Sequence, residues 1–129
     1  MRKFWIVPLA GAVLFAFTSS PVWAQGDAAA GEKVFKKCQA CHSLEAGQHK
    51  TGPSLHNVIG RQAGSTDFKR YKGLVGADFT WDEAKLDEYL IDPSAFVKTH
   101  TANSRSGMAF KLKDPQDRAD VIAYLKSLQ

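Results

Sequence analysis

Sulfur is scarce in this chain. It has two cysteines and two methionines in 129 residues, too few thiols for a disulfide framework of the kind that staples small exported domains. No run with strand-like alternation precedes the cysteine pair, as a thioredoxin-type unit would require. Internal repeats and low-complexity tracts are also missing. The single apolar run, Phe4 to Phe17, falls short of the roughly 20 residues that span a bilayer. A net charge of +4 is too modest to mark a nucleic-acid binder.

The terminal segment has its own logic. Arg2 and Lys3 precede the apolar run, and small and polar residues follow as far as Val22-Trp23-Ala24. This is the layout of a secretory signal peptide. Residues 1–24 are therefore expected to be removed after Ala24, leaving Gln25 to Gln129 as one domain exported to the periplasm, with no stable membrane insertion. Without Arg2 and Lys3 the basic-to-acidic balance falls from 17 against 13 to 15 against 13.

Both cysteines lie in Cys38-Gln39-Ala40-Cys41-His42. C-x-x-C-H is the attachment signature of c-type haem. On a helical turn, positions three apart share a face, so both thiols reach the two vinyl groups of one porphyrin. His42 then supplies the proximal imidazole. A redox dithiol and half of a zinc site compete with this reading. Zinc would need two further ligands at regular spacing, and His49, His56 and His100 are irregularly placed. Beyond the signal region the only methionine is Met108, in the loop-like Ser106-Gly107-Met108-Ala109-Phe110. It is either a core gap-filler or, with haem bound through His42, the axial thioether; the three other histidines are rival sixth ligands.

Caps and periodicity predict an all-α domain of three main helices joined by long loops. Asp27 caps a helix over Ala28–Lys37, and Gly31 inside it marks either close approach or tolerance. Thr80 and Glu83 form a capping box for a helix bearing Trp81, Leu86, Tyr89 and Leu90, closed by Pro93. Asp114 and Pro115 open the last helix, with Val121, Ile122, Leu125 and Leu128 facing inward. Residues 43–80 read as an irregular wrap with a short helix near 54–60. A wrap this long in a small domain needs a large group to pack on, and an apo-protein is expected to fold poorly because the ligand is part of the core.

With these features in place the chain resembles a class I c-type cytochrome, and more closely a bacterial cytochrome c2. The resemblance is carried by Gly31 to Lys37 before the haem motif, Thr51-Gly52-Pro53-Ser54-Leu55 after it, Gly60-Arg61, Tyr71, Trp81, Tyr89-Leu90, Met108-x-Phe110 and Ile122 to Lys126. It implies a small cytochrome c fold wrapped around one haem c per chain, attached through Cys38 and Cys41, with iron ligated by His42 and Met108. It further implies that the Pro53 carbonyl accepts from His42 Nδ1–H, that Tyr71, Trp81 and Arg61 serve the haem propionates, and that Tyr89 donates to the Met108 sulfur. Trp81 and Tyr89 as plain core residues, and Arg61 as a solvated charge, remain competing readings.

Two filled axial positions leave no open site, which points to electron transfer rather than catalysis. The resemblance implies a monomeric carrier between a cytochrome bc complex and a photosynthetic reaction centre or terminal oxidase. An electron acceptor for a periplasmic dehydrogenase, and a haem enzyme or gas sensor with a labile sixth ligand, are the alternatives. Lys36, Lys37, Lys50, Lys98, Lys111 and Lys113 are expected to ring an exposed haem edge and steer the protein to acidic docking surfaces, unless they are ordinary solvated charges. The stretch from Pro93 to Met108 is longer than in many relatives. It makes the methionine loop the weaker axial support, with Lys111 or Lys98 as a replacement ligand at alkaline pH.

Overall fold

A computed structural model describes residues 25–129, so the expected signal segment lies outside the described residues. Four helices follow in order: α1 (Ala28–Phe35), α2 (Glu83–Ile91), α3 (Pro93–His100) and α4 (Pro115–Ser127). Among the described residues there are no strands, only two isolated bridges, His42 with His49 and Gln62 with Thr80. The fold is all-α.

Each helix starts on an aspartate whose carboxylate accepts backbone N–H groups of the first turn, which would otherwise have no partner. In α1 that residue is Asp27, as expected, and in α4 it is Asp114 with Pro115 at the first helical position. Three boundaries differ from the sequence reading, the first being α1, which ends at Phe35 rather than Lys37. The cap of α2 is Asp82 rather than Thr80, because Thr80 pairs in extended form with Gln62 and Trp81 N–H donates to Arg61 O at 2.9 Å. Pro93 ends one helix and opens another: Asp92 caps α3, an element read from sequence as loop. A proline cannot donate inside a helix but fits its first turn, and α3 buries Phe96 and Val97.

The short helix expected near 54–60 is replaced by turns, with Asn57 at φ 48°. Ser54 there serves the loops, donating from Oγ to Glu45 O at 2.6 Å. Leu128, expected on the inner face of α4, is 48% exposed.

The frame is the crossing of α1 and α4. A Cβ on Gly31 would run into the carbonyl oxygen of Asp120, so glycine here permits backbone contact. Phe35 packs on Tyr124 with ring centroids 5.6 Å apart, and full burial of a phenylalanine contributes about 2–3 kcal/mol. The buried Asp120 carboxylate accepts from Asp27 N–H at 2.7 Å and from Gln116 Nε2 at 2.9 Å, joining the two helices at one end. Arg118, also buried, donates from Nε to Asp87 at 2.7 Å and from Nη1 to the Leu112 and Lys113 carbonyls. It ties α4 to α2 and to the segment leaving Met108.

Candidate functional site

The helix-like backbone does not stop at Phe35. Cys38 N and Gln39 N donate to Phe35 O, and Cys41 N and His42 N donate to Cys38 O, at 2.8 to 3.1 Å. Both cysteines therefore sit on one tight turn continuous with α1, with free thiols. They open onto a cavity of about 540 Å³, within the usual range for sites that enclose a small molecule or cofactor. All nine residues singled out from sequence line it: Cys38, Cys41, His42, Pro53, Arg61, Tyr71, Trp81, Tyr89 and Met108. His49, His56 and His100 do not.

His42 is held as a neutral imidazole with one ring nitrogen left unprotonated. Its Nδ1 lies 2.7 Å from Pro53 O; a carbonyl only accepts, so Nδ1 carries the hydrogen and the lone pair is left on Nε2. Burial pulls the imidazole pKa down, the Pro53 bond opposes this, and Arg61 and Lys50 add to the lowering. Gly52 makes the approach possible, since a Cβ there would strike the His42 ring.

Burial pushes the Cys38 thiol pKa up, with smaller and opposing effects from Lys37 and Cys41. That is the wrong direction for a reactive dithiol. Among the described residues no three His, Cys, Asp or Glu side chains are grouped to hold a metal ion, so the zinc reading has no ligand set.

The Met108 segment is held by hydroxyls. Ser106 N donates to Ser94 Oγ at 3.1 Å, and Met108 N donates to Ser106 Oγ at 3.0 Å. The Tyr89 hydroxyl pairs with the same Ser106 Oγ at 2.7 Å. The tyrosine expected to serve the methionine sulfur thus bonds the residue that positions the methionine backbone. Burial raises its phenol pKa, so it is neutral at physiological pH. Ser94 and Ser106 were not foreseen, and only the short Ser106-Gly107-Met108 spacing hints at the second.

Arg61 donates from Nη1 to His56 O at 2.9 Å, whereas its buried Nε has no partner. An unpaired buried donor on a charged group is costly; a ligand carboxylate reaching it would remove the cost. Tyr71 pairs with Thr66 Oγ1 at 2.6 Å. Trp81 is 5% exposed and stacks on Phe96. Two thiols on one turn, a lone-pair imidazole, a thioether, an apolar lining of Phe35, Leu55, Val58 and Leu125, and an orphaned guanidinium hydrogen together fit a haem bearing two propionates.

The cations divide. Of the six lysines expected around the haem edge, Lys37 lines the cavity and pairs with Asp117 at 3.5 Å. Lys50 donates to Gln39 O, and Lys111 pairs with Asp92 at 2.7 Å. Arg70 and Lys72, not anticipated, also line it.

Fold and donor set define a small helical domain built around one covalently held haem. The family model described as cytochrome c matches residues 28–129. The chain is 40% identical over 132 residues to cytochrome c-551 of Roseobacter denitrificans, covering 93% of this chain and 94% of that one. It is 43% identical over 121 residues to cytochrome c2 of Rhodospirillum rubrum, covering 88% and 90%. Among solved structures, cytochrome c2 from Rhodobacter sphaeroides superimposes with a TM-score of 0.73 at 38% identity, covering 80% of this chain and 96% of that one. The chain belongs to the cytochrome c family, close to bacterial cytochrome c2, carries covalently attached haem c, and is an electron carrier rather than an enzyme.

Proposed function

We propose that the protein is a diffusible one-electron carrier of the periplasm, exported by cleavage after Ala24, with haem held through Cys38 and Cys41 and its iron ligated by His42 and Met108. In this role it takes electrons from a cytochrome bc complex and passes them to a photosynthetic reaction centre or a terminal oxidase. The observation that carries the reading is that His42 and Met108 line one cavity while every other histidine lies off it.

Bound haem supplies a one-electron iron couple. The rest follows from the chain's own residues. Pro53 holds the hydrogen on His42 Nδ1 and so keeps Nε2 a strong donor. The apolar lining disfavours the more highly charged oxidised state, and the Met108 sulfur does the same relative to a nitrogen donor. Arg61 offers its unpaired Nε–H to a propionate. Tyr71 and Trp81 stand on the same cavity, where they complete the propionate pocket. With His42 and Met108 both holding the iron in either oxidation state, little would need to move on electron transfer.

Export fits the described part, where no helix is long and apolar enough to cross a membrane. Arg70, Lys72 and Lys37 at the cavity provide the positive face for acidic partners. The deciding experiment is a visible spectrum and mass of protein matured with haem-attachment machinery, compared with Met108→Ala. The expected result is one covalent haem, a low-spin spectrum with a sulfur-to-iron band, and loss of that band and a lower potential in the variant. A native spectrum in Met108→Ala would overturn the ligation. Electron-transfer rates with a cytochrome bc complex should fall steeply with ionic strength; a flat dependence would reject steering by these cations.

A further inference from the structure

The peptide unit that fixes His42 is itself held from the other side. Pro53 C=O and Ser54 N–H belong to one planar amide. The carbonyl accepts from His42 Nδ1–H at 2.7 Å, and the Ser54 N–H donates to His49 Nδ1 at 2.9 Å. Because that nitrogen accepts, His49 carries its hydrogen on Nε2, which lies 2.6 Å from Asp67 Oδ1. The bond to His49 draws the Asp67 carboxyl below its usual range.

These contacts form one directed chain: Asp67 carboxylate, His49 imidazole, Pro53–Ser54 amide, His42 imidazole. Hydrogen bonds in series polarise one another. An amide whose N–H is donated to a good acceptor carries more negative charge on its oxygen. That oxygen is then a better acceptor for His42 Nδ1–H, which makes the other ring nitrogen a stronger electron donor. Ser54 is 2% exposed and the His49 side chain 17%, while Asp67 at 76% faces solvent. Water therefore competes at the outer end of the chain and little at its centre. Phe68 packs on the His49 ring at 5.5 Å and limits its rotation.

We propose that His49 is a positioning residue for the iron ligand, strengthening through the Pro53–Ser54 amide the hydrogen bond that His42 donates and so lowering the reduction potential, with Asp67 as the outer end of the relay. The inference rests on His42 ligating the haem iron as set out above.

The test is redox potentiometry on haem-loaded His49→Leu, His49→Gln and Asp67→Asn, with the sulfur-to-iron band recorded for each. Leucine removes the imidazole with its two hydrogen bonds. The reduced-to-oxidised ratio at a fixed ambient potential is expected to rise about threefold, or about 30 mV for a one-electron couple. Glutamine keeps an acceptor oxygen for Ser54 N–H and is expected to restore at least half of the shift. Asp67→Asn moves the potential the same way by less, and the change survives high salt, which a bare surface-charge effect would not.

A leucine variant with its sulfur band intact and an unchanged potential overturns the relay. So do equal shifts in the leucine and glutamine variants, which would reflect packing. Should His49→Leu not mature, Asp67→Asn decides by NMR: the Ser54 amide proton and the His42 Nδ1 proton shift together under the relay and stay in place without it. Loss of a low-spin haem spectrum in the unmodified protein would overturn the ligation and the relay together.

Discussion

Around His42 nearly everything is local. Its own turn, the glycine that lets the chain approach and the carbonyl that orients the ring all fall within eleven positions. Met108 is held differently. Its supports are Tyr89 on α2, Ser94 at the start of α3, the Lys111–Asp92 pair and the Leu112 N–H donated to Leu90 O at 2.8 Å, gathered from two other helices. One proposed ligand is fixed by a contiguous peptide and the other by long-range hydrogen bonds whose supports can be removed one at a time. The first should fail all at once, the second by degrees.

The sharpest break is His42→Ala against Met108→Ala. The first is expected to abolish native haem protein, read as loss of coloured, folded product. The second should retain covalent haem and helix content, read by mass and circular dichroism, and lose only the sulfur band. Next comes a pair of glycines. Gly52→Ala puts a methyl into the His42 ring and is expected to destabilise by about 1–3 kcal/mol in denaturant titration. Gly107→Ala meets only the Lys72 side chain at ordinary contact, 3.8 Å, and should change stability by less than about 0.5 kcal/mol. Equal losses at the two glycines would erase the contrast.

Ser106→Ala removes the partner shared by Tyr89 and Met108 N–H, and an expected loss of about 1–2 kcal/mol follows from two unmade bonds. Its sulfur band should also bleach at lower pH than in the parent during an alkaline titration. Lys72 is the replacement ligand that the geometry favours, since it lines the cavity beside Gly107 while Lys111 is engaged by Asp92 and Lys98 lies off the cavity. Persistence of the band to strongly alkaline pH in both proteins would remove the idea that this segment is the weaker one.

The smallest effect is expected at Asp92. The Lys111 ammonium first, then Ala95 N–H, holds its carboxyl below the usual carboxylate range. A depressed folded-state pKa adds stability that is present at neutral pH and lost as pH falls through the acid range. Asp92→Asn should flatten the acid limb of thermal stability; an unaltered limb would show that the pair contributes nothing there.

Legibility in the sequence follows the same division. Pro53 came only with the resemblance to the family, whereas the thiol turn and His42 could be read because the motif is contiguous. The caps of α1 and α4 were clear for the same reason. Met108 was legible through scarcity, being the only methionine after Met1. What stayed hidden needed distant partners. Tyr89 and Ser106 are 17 positions apart, and His49 and Asp67 are 18. Thr80 lost its cap role to a pairing with the distant Gln62, and Pro93 carries the same local signal whether it ends a helix or opens the next. Lysines near Met108 in sequence proved to be engaged or off the cavity, while Arg70 and Lys72 arrive from the middle of the irregular wrap.

The glycine contact between the first and last helices also orders events in time. α1 runs directly into the thiol-bearing turn, yet the surface it packs on belongs to α4, the last of the helices among the described residues. Were the polypeptide to emerge from its amino end, both thiols would be out before the surface that packs α1 existed, and a product truncated ahead of Pro115 is expected to lack that closure.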